Sequence, residues 1–155
     1  MKTADEWFAA YGVSHQDPTN KAIHWVCVPA IVFSLLGLMW AIPLPESISK
    51  LSPWLNVATV FIGLALIYYA ILSPSLALGM LLYVAACIWG IAALTSLPWP
   101  LWQSCLAIFV VAWIGQFIGH KIEGRKPSFF EDIQFLLIGP IWLLGFIYRK
   151  LGIPY

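Results

Sequence analysis

Four long apolar segments constrain the fold of this chain more than any other feature. They run from about Ala22 to Ile42, Trp54 to Leu72, Leu76 to Leu97 and Leu101 to Ile118. Each is about as long as the roughly 17–25 residues that a helix needs to cross a hydrocarbon core. Because lipid offers no hydrogen-bond partners to an open backbone, such segments must be helical. The sequence predicts an all-α polytopic membrane helix bundle with four transmembrane helices, forming one integral membrane domain over residues 1–155.

The composition supports this class and excludes another. Only 10% of the residues are charged and 61% are hydrophobic, whereas a soluble domain carries about 25% charged residues. The formal net charge is +1, which is too small for electrostatic attraction to a nucleic acid. We therefore expect membrane lipid, and no nucleic acid, around the chain.

The N-terminal segment predicts a short helix at the membrane surface. Thr3 and Glu6 have the spacing of a capping box, which starts a helix. The aromatic residues Trp7, Phe8 and Tyr11 would share one face of that helix, as in interfacial helices.

The last apolar stretch, from Ile133 to Tyr148, is short for a crossing. Ser128 and Glu131 have capping-box spacing at its start. The Gly139-Pro140 pair is expected to interrupt a helix there, because proline cannot donate a backbone hydrogen bond. We consider two interpretations of this stretch, a re-entrant segment and a fifth helix.

The basic residues predict the orientation. With four crossings, Lys50 lies on one side and seven basic residues lie on the other: Lys2, Lys21, Lys121, Arg125, Lys126, Arg149 and Lys150. The positive-inside rule then places both termini in the cytoplasm. The host membrane would be the inner membrane of a bacterium or the endoplasmic reticulum of a eukaryote.

All three histidines fall at the cytoplasmic ends of the predicted spans. His15 and His24 lie at the start of the first span, and His120 at the end of the fourth. Imidazole is the commonest transition-metal ligand, and polar groups at membrane depth are usually functional. We therefore predict one metal ion bound by His15, His24 and His120.

Other polar residues surround these predicted ligands. Asn20 precedes His24 by one turn, and Gln116 precedes His120 by one turn. Amides and carboxylates often orient metal ligands by hydrogen bonds without touching the metal. We assign that role to Asn20, Gln116 and Asp17. Asp17 also suits the N-cap of the first span. Glu123, three residues after His120, is predicted to be catalytic, and Glu123 or Asp17 could act as a base.

Two blocks of residues resemble a known family. The pattern H-x4-N-x3-H-x4-P, formed by His15, Asn20, His24 and Pro29, resembles the N-terminal signature of the membrane 2-hydroxy fatty acid dioxygenases of fatty acid α-oxidation. A second block, Q-x2-G-H-x2-E-x3-P, from Gln116 to Pro127, is similar to that family's C-terminal signature, as is the tail G-P-I-W-L-L-G-F. The sequence departs from the family at Cys27, where glycine is common.

The resemblance implies an Fe(II)-dependent enzyme. It would take a 2-hydroxy fatty acid and O2 and release a fatty acid one carbon shorter. The histidines would leave coordination positions open for both substrates.

Three alternatives remain open from the residues. A three-histidine zinc site could serve a membrane hydrolase acting on a lipid. Two histidines on facing spans could bind haem in an electron carrier. In a non-catalytic scaffold the histidines would be dispensable.

Overall fold

The computed structural model of the chain describes residues 2–52, 54–124 and 135–155, and it is helical. Within those ranges there is no strand, so the all-α prediction is confirmed. The helices are α1 (Ala4–Gly12), α2 (Pro18–Trp40), α3 (Glu46–Ser49), α4 (Val57–Leu72), α5 (Pro74–Thr95), α6 (Leu101–Glu123) and α7 (Ile138–Leu151).

Three of these helices, α2, α5 and α6, are long and apolar enough to cross a membrane. The remaining expected span, the second in the chain, appears as α4, which has 16 residues and begins at Val57, after the N-cap Asn56. A helix of that length extends about 24 Å, which is short of a hydrocarbon core of about 30 Å. The count of four crossings therefore stays a prediction.

Helices α2 and α6 form the most extensive helix pair among the described residues. They run antiparallel, because each start lies beside the other's end. At one end, a β-carbon on Gly119 would overlap the Oδ1 atom of Asn20. At the other end, a β-carbon on Gly37 would overlap the Sγ atom of Cys105. Small residues let helix backbones approach closely in membranes. This contact brings the start of α2 beside the end of α6.

Cys27, the departure from the family pattern, packs in the same contact. Its Sγ atom would lie 2.5 Å from a β-carbon on Gly115. The Cys27 side chain therefore fills space over a glycine of α6.

Helix α1 begins at the expected capping box, in which the Thr3 and Glu6 side chains each bond the other's backbone N–H. Its buried face consists of Ala4, Phe8 and Tyr11, and it packs on α7. Most of the aromatic face of α1, which was predicted to lie on the membrane surface, therefore packs against protein.

Helix α7 begins at Ile138, and this overturns one prediction. Pro140 lies in the first turn, where the backbone N–H has no partner within the helix and its loss has no consequence. The expected interruption at Gly139-Pro140 is therefore wrong, and α7 is continuous to Leu151. The predicted capping box at Ser128 and Glu131 lies outside the described residues.

Candidate metal centre

The rings of His15, His24 and His120 meet at one end of the α2–α6 pair. The centroid of the His15 ring lies 4.3 Å from that of His24 and 5.2 Å from that of His120, and the last two are 5.3 Å apart. One potential ligand atom from each residue lies within 4.8 Å of the other two, and all three residues are buried. The three histidines could hold a metal ion.

Backbone carbonyls determine which ring nitrogen carries the proton in His15 and in His24. Nδ1 of His15 lies 2.6 Å from the carbonyl oxygen of Tyr11, and Nδ1 of His24 lies 2.9 Å from that of Asn20. A carbonyl oxygen can only accept, so each Nδ1 carries the proton. The Nε2 atoms of His15 and His24 are 2.8 Å apart. In the neutral rings two lone pairs therefore point at each other, an arrangement that a shared cation would stabilise.

A proton is a poor candidate for that cation at neutral pH. Burial lowers the pKa of His15 to about 4, and the Tyr11 carbonyl only partly opposes this effect. The ring also stacks on the Tyr11 side chain, with centroids 4.1 Å apart and planes 7° from parallel. His15 is therefore held as a neutral, oriented imidazole, the form that binds metals.

His120 completes the cluster from the last turn of α6. Its side chain is buried, and its Nδ1 atom has no hydrogen-bond partner among the described residues. Buried polar atoms are nearly always satisfied, so an unpaired ring nitrogen beside two imidazoles fits a metal ligand.

Asn20 was expected to orient His24, and it does so through its backbone. The backbone carbonyl of Asn20, and not its side chain, accepts the His24 proton. The side-chain amide of Asn20 donates to the carboxylate of Glu123 at 3.0 Å. Asn20 thus connects the first turn of α2 to the end of α6.

Glu123 anchors the loop that carries His15. Its carboxylate accepts hydrogen bonds from the backbone N–H groups of Gln16 at 2.8 Å and Asp17 at 2.9 Å. These bonds cross between segments more than 100 residues apart in sequence. Glu123 therefore holds the His15 loop against α6.

Asp17 is the N-cap of α2, as predicted. Its side chain accepts from the backbone N–H groups of Thr19 and Asn20. Its described bonds serve the helix start and do not reach an imidazole.

Gln116 lies beside a small cavity under the histidines, which we call the histidine cavity. It has a volume of about 40 Å³, and its wall includes His24, Gln116 and His120. The Nε2 atom of Gln116 is buried and has no partner in the described part of the chain. The expected support of His120 by Gln116 is thus not seen there. Instead, the amide offers a hydrogen-bond donor beside the cavity.

The rest of the described wall is largely apolar, with Val28, Ile31, Phe135 and Leu136 among its residues. No carboxylate belongs to the wall as far as the described residues go. Glu123 and Asp17 are thus close to the ligands in sequence but are not part of this surface.

Two residues at the site were not found from the sequence. Tyr11 supplies both the carbonyl and the ring that hold His15, and its spacing of one helical turn before His15 was an available signal. Trp142 packs within 5.5 Å of the His15 ring, centroid to centroid. Nothing local in the sequence connects two residues so far apart along the chain.

Comparison with known proteins agrees with the resemblance. Residues 1–151 match the family described as 2-hydroxy-palmitic acid dioxygenase Mpo1-like. The 2-hydroxy-palmitic acid dioxygenase MPO1 of Saccharomyces cerevisiae is 28% identical over 144 residues, covering 92% of this chain and 78% of the yeast protein. No solved structure matches the chain. The chain therefore belongs to the family of 2-hydroxy-palmitic acid dioxygenase Mpo1-like proteins.

Proposed function

We propose that this protein is an Fe(II)-dependent dioxygenase that converts a 2-hydroxy fatty acid and O2 to a fatty acid one carbon shorter, CO2 and water. The observation that carries the proposal is the convergence of the His15 and His24 Nε2 lone pairs beside His120. Membership of the family, and the activity in the name of the yeast relative, supply the substrate class.

The donor set suits iron. Neutral imidazoles bind iron, and three protein ligands leave positions for other molecules. When bound, Fe(II) would supply the electron-transfer chemistry that lets O2 react with an organic acid. His15, His24 and His120 are the residues proposed to hold it.

The remaining residues of the cavity would bind and orient the substrate. The Gln116 amide, whose Nε2 atom has no partner among the described residues, would donate to the carboxylate or hydroxyl oxygen of a 2-hydroxy acid. The apolar side chains of Val28, Ile31 and Leu136 would keep water from the reacting carbon, and such positioning supplies much of the catalysis. We assign Glu123 a positioning role, through the loop that carries His15.

The lipid environment also fits this substrate class. His24 lies near the start of α2 and His120 near the end of α6, two helices that are apolar enough to cross a membrane, and His15 lies in the loop just before α2. A polar head would meet the metal there, and an acyl chain would extend between helices. We infer that this end is cytoplasmic and that both termini lie on the same side.

The haem alternative fits the geometry less well. The three imidazole rings are within 5.3 Å of each other, and the adjoining cavity of about 40 Å³ is far smaller than a porphyrin. The zinc hydrolase shares the same ligands, so only metal identity and oxygen dependence separate it from the dioxygenase.

The experiment supplies 2-hydroxypalmitic acid, or palmitic acid as the control, to purified protein with Fe(II) in air. Only the hydroxylated acid should yield the shortened fatty acid, with O2 consumed. Equal product without oxygen, or with Zn(II) in place of iron, would refute the iron-dependent dioxygenase.

The His24→Ala protein tests the metal site itself. Because an open site depends on each ligand, this protein should lose most of its bound iron and its activity. Iron content equal to that of the unchanged protein would refute the three-histidine site.

A further inference from the structure

Unpaired polar atoms concentrate at the histidine cavity. In the described part of the chain, five buried side-chain nitrogen or oxygen atoms have no hydrogen-bond partner. Three of the five belong to residues of the cavity wall, namely Trp113, Gln116 and His120. Buried polar atoms are nearly always satisfied, and a buried indole N–H usually finds a partner. Three unpaired nitrogens around one small space therefore indicate that the cavity receives a polar occupant.

The three residues lie on one face of α6, because they are spaced three and four residues apart. Seven residues of helix extend about 10 Å, so this face leads from a proposed metal ligand towards the middle of the helix. The cavity of about 40 Å³ borders all three side chains. That volume holds about three water-sized groups, at 10–15 Å³ each. A head group that fills it lies beside His120 and Trp113 at once.

Two phenylalanine rings hold the Trp113 side chain. Phe109 lies one turn before it and Phe117 one turn after it, with ring centroids 6.1 Å and 5.9 Å from that of Trp113. Such aromatic contacts favour a defined ring geometry. They restrict rotation of the indole and keep its N–H in the buried position.

The chemistry of the indole selects its partner. An indole N–H can only donate a hydrogen bond, a carboxylate can only accept one, and a hydroxyl does both. No lysine or arginine belongs to the wall among the described residues, so a carboxylate there would depend on neutral donors and the metal. The carboxylate of a 2-hydroxy acid is thus the complementary partner of the Trp113 N–H.

We propose that Trp113 determines specificity by donating its indole N–H to the carboxylate of the substrate. This inference rests on the proposed function, because it assumes a 2-hydroxy acid head group in the histidine cavity. Gln116, one turn along α6, is the second neutral donor to the same head group. Hydrogen bonds to ionised groups are roughly twice as strong as neutral ones, so the protein should bind the acid more tightly than an uncharged diol of equal length.

The test follows the indole N–H signals of the full-length protein in detergent, with ¹⁵N in its nine tryptophans. Zn(II) takes the place of iron, because it has no redox chemistry. The probes are 2-hydroxyoctanoic acid and octane-1,2-diol, which differ only at the carboxylate. The Trp113 signal, identified by its absence in Trp113→Phe, should move downfield with the acid and much less with the diol.

Trp113→Phe also supplies an affinity measurement, since it removes the N–H and keeps an aromatic ring. Equilibrium dialysis with radiolabelled probes should show affinity for the acid reduced by about 10- to 150-fold, as expected for a lost bond to a charged group. Affinity for the diol should fall by less than about 10-fold. Trp102→Phe, at a half-exposed position of the same helix, is the matched control and should change neither.

The outcomes separate this inference from the proposed reaction. Equal movement of the Trp113 signal with both probes, or equal loss of affinity for both in Trp113→Phe, would overturn the carboxylate contact. So would the absence of any moved indole signal, even if the Fe(II) protein turns the acid over. The expected shifts without O2 consumption would support the contact and refute the reaction. If Trp113→Phe fails to fold, Trp113→Tyr identifies the signal instead.

Discussion

Gly119 of α6 lies so close to Asn20 of α2 that a β-carbon at residue 119 would overlap the Oδ1 atom of Asn20. Asn20 is fully buried and is held in place by its bond to Glu123. His24 follows Asn20 by one turn, and His120 follows Gly119 directly. The missing side chain at Gly119 therefore sets the distance between two of the proposed metal ligands.

Gly119→Ala should separate the two helices and weaken the site. Overpacking of this kind typically destabilises by about 1–3 kcal/mol, and we expect bound metal to fall as well. Gly63→Ala in α4 is the matched control, because a β-carbon there has nothing within 4 Å. It should be neutral or stabilise by up to about 1 kcal/mol. Thermal unfolding and metal analysis in detergent measure both effects, and equal results for the two variants would contradict the close-packing argument.

Gln116→Ala should impair substrate binding without loss of metal. A lost hydrogen bond to a charged group is worth about 1.5–3 kcal/mol, so kcat/KM should fall by about 10- to 150-fold. Gln103→Ala, at an exposed position of the same helix, should have no effect. If Gln116→Ala loses its metal instead, the amide supports a ligand and does not contact the substrate.

Glu123→Gln should loosen the loop that carries His15. The amide cannot accept at both oxygen positions, so at least one bond to Gln16, Asp17 or Asn20 is lost. Metal affinity should fall on the order of 10- to 100-fold, as for other groups that orient ligands. Titration with Fe(II) under anaerobic conditions measures this.

Glu46→Gln is the control for Glu123→Gln. Glu46 pairs with Lys50 at 3.1 Å on an exposed surface, and such pairs contribute little. A loss of metal in Glu123→Gln as large as that in His24→Ala would instead make Glu123 a direct ligand.

The metal-free protein should lose stability in acid. Burial lowers the pKa of His15 to about 4 in the folded state, whereas the unfolded chain titrates near 6.5. The unfolded state therefore binds more protons between these values, and stability falls as the pH drops from about 6.5 to 4. The loss approaches about 3 kcal/mol. Thermal midpoints over this range should slope less in His15→Gln, and a flat profile in the unchanged protein would contradict a buried neutral His15.

Cysteine labelling from the two sides of the membrane tests the four-span topology. In a variant without Cys27, Cys87 and Cys105, single cysteines at Lys2 and Lys150 should react from the same side. A cysteine at Lys50 should react from the other side, as the distribution of basic residues predicts. Reaction of position 150 together with position 50 would favour an odd number of crossings.

Local patterns in the sequence were sufficient for much of this structure. The apolar segments predicted helices, and the capping residues Thr3 and Asp17 predicted where α1 and α2 begin. These features depend on neighbours within one turn, so they can be read along the chain. The order of the predicted spans brought the three histidines to one side of the membrane. In a series of antiparallel spans, the start of the first and the end of the fourth lie on the same side.

Contacts between distant segments could not be read in this way. The amide of Gln116 had the same spacing to His120 as Asn20 has to His24, yet only the folded chain shows that neither side chain holds an imidazole. Pro140 was expected to break a helix that in fact starts two residues before it.

The chain's sequence by itself determined its helical class, its family and the identities of the three histidines, because these depend on composition and order. Only the tertiary structure decided that two imidazoles face each other while their Nδ1 protons are donated to backbone carbonyls, and that Glu123 binds the loop before α2. Those arrangements arise from packing across more than 100 residues of chain, where the fit of one side chain against another selects its partner.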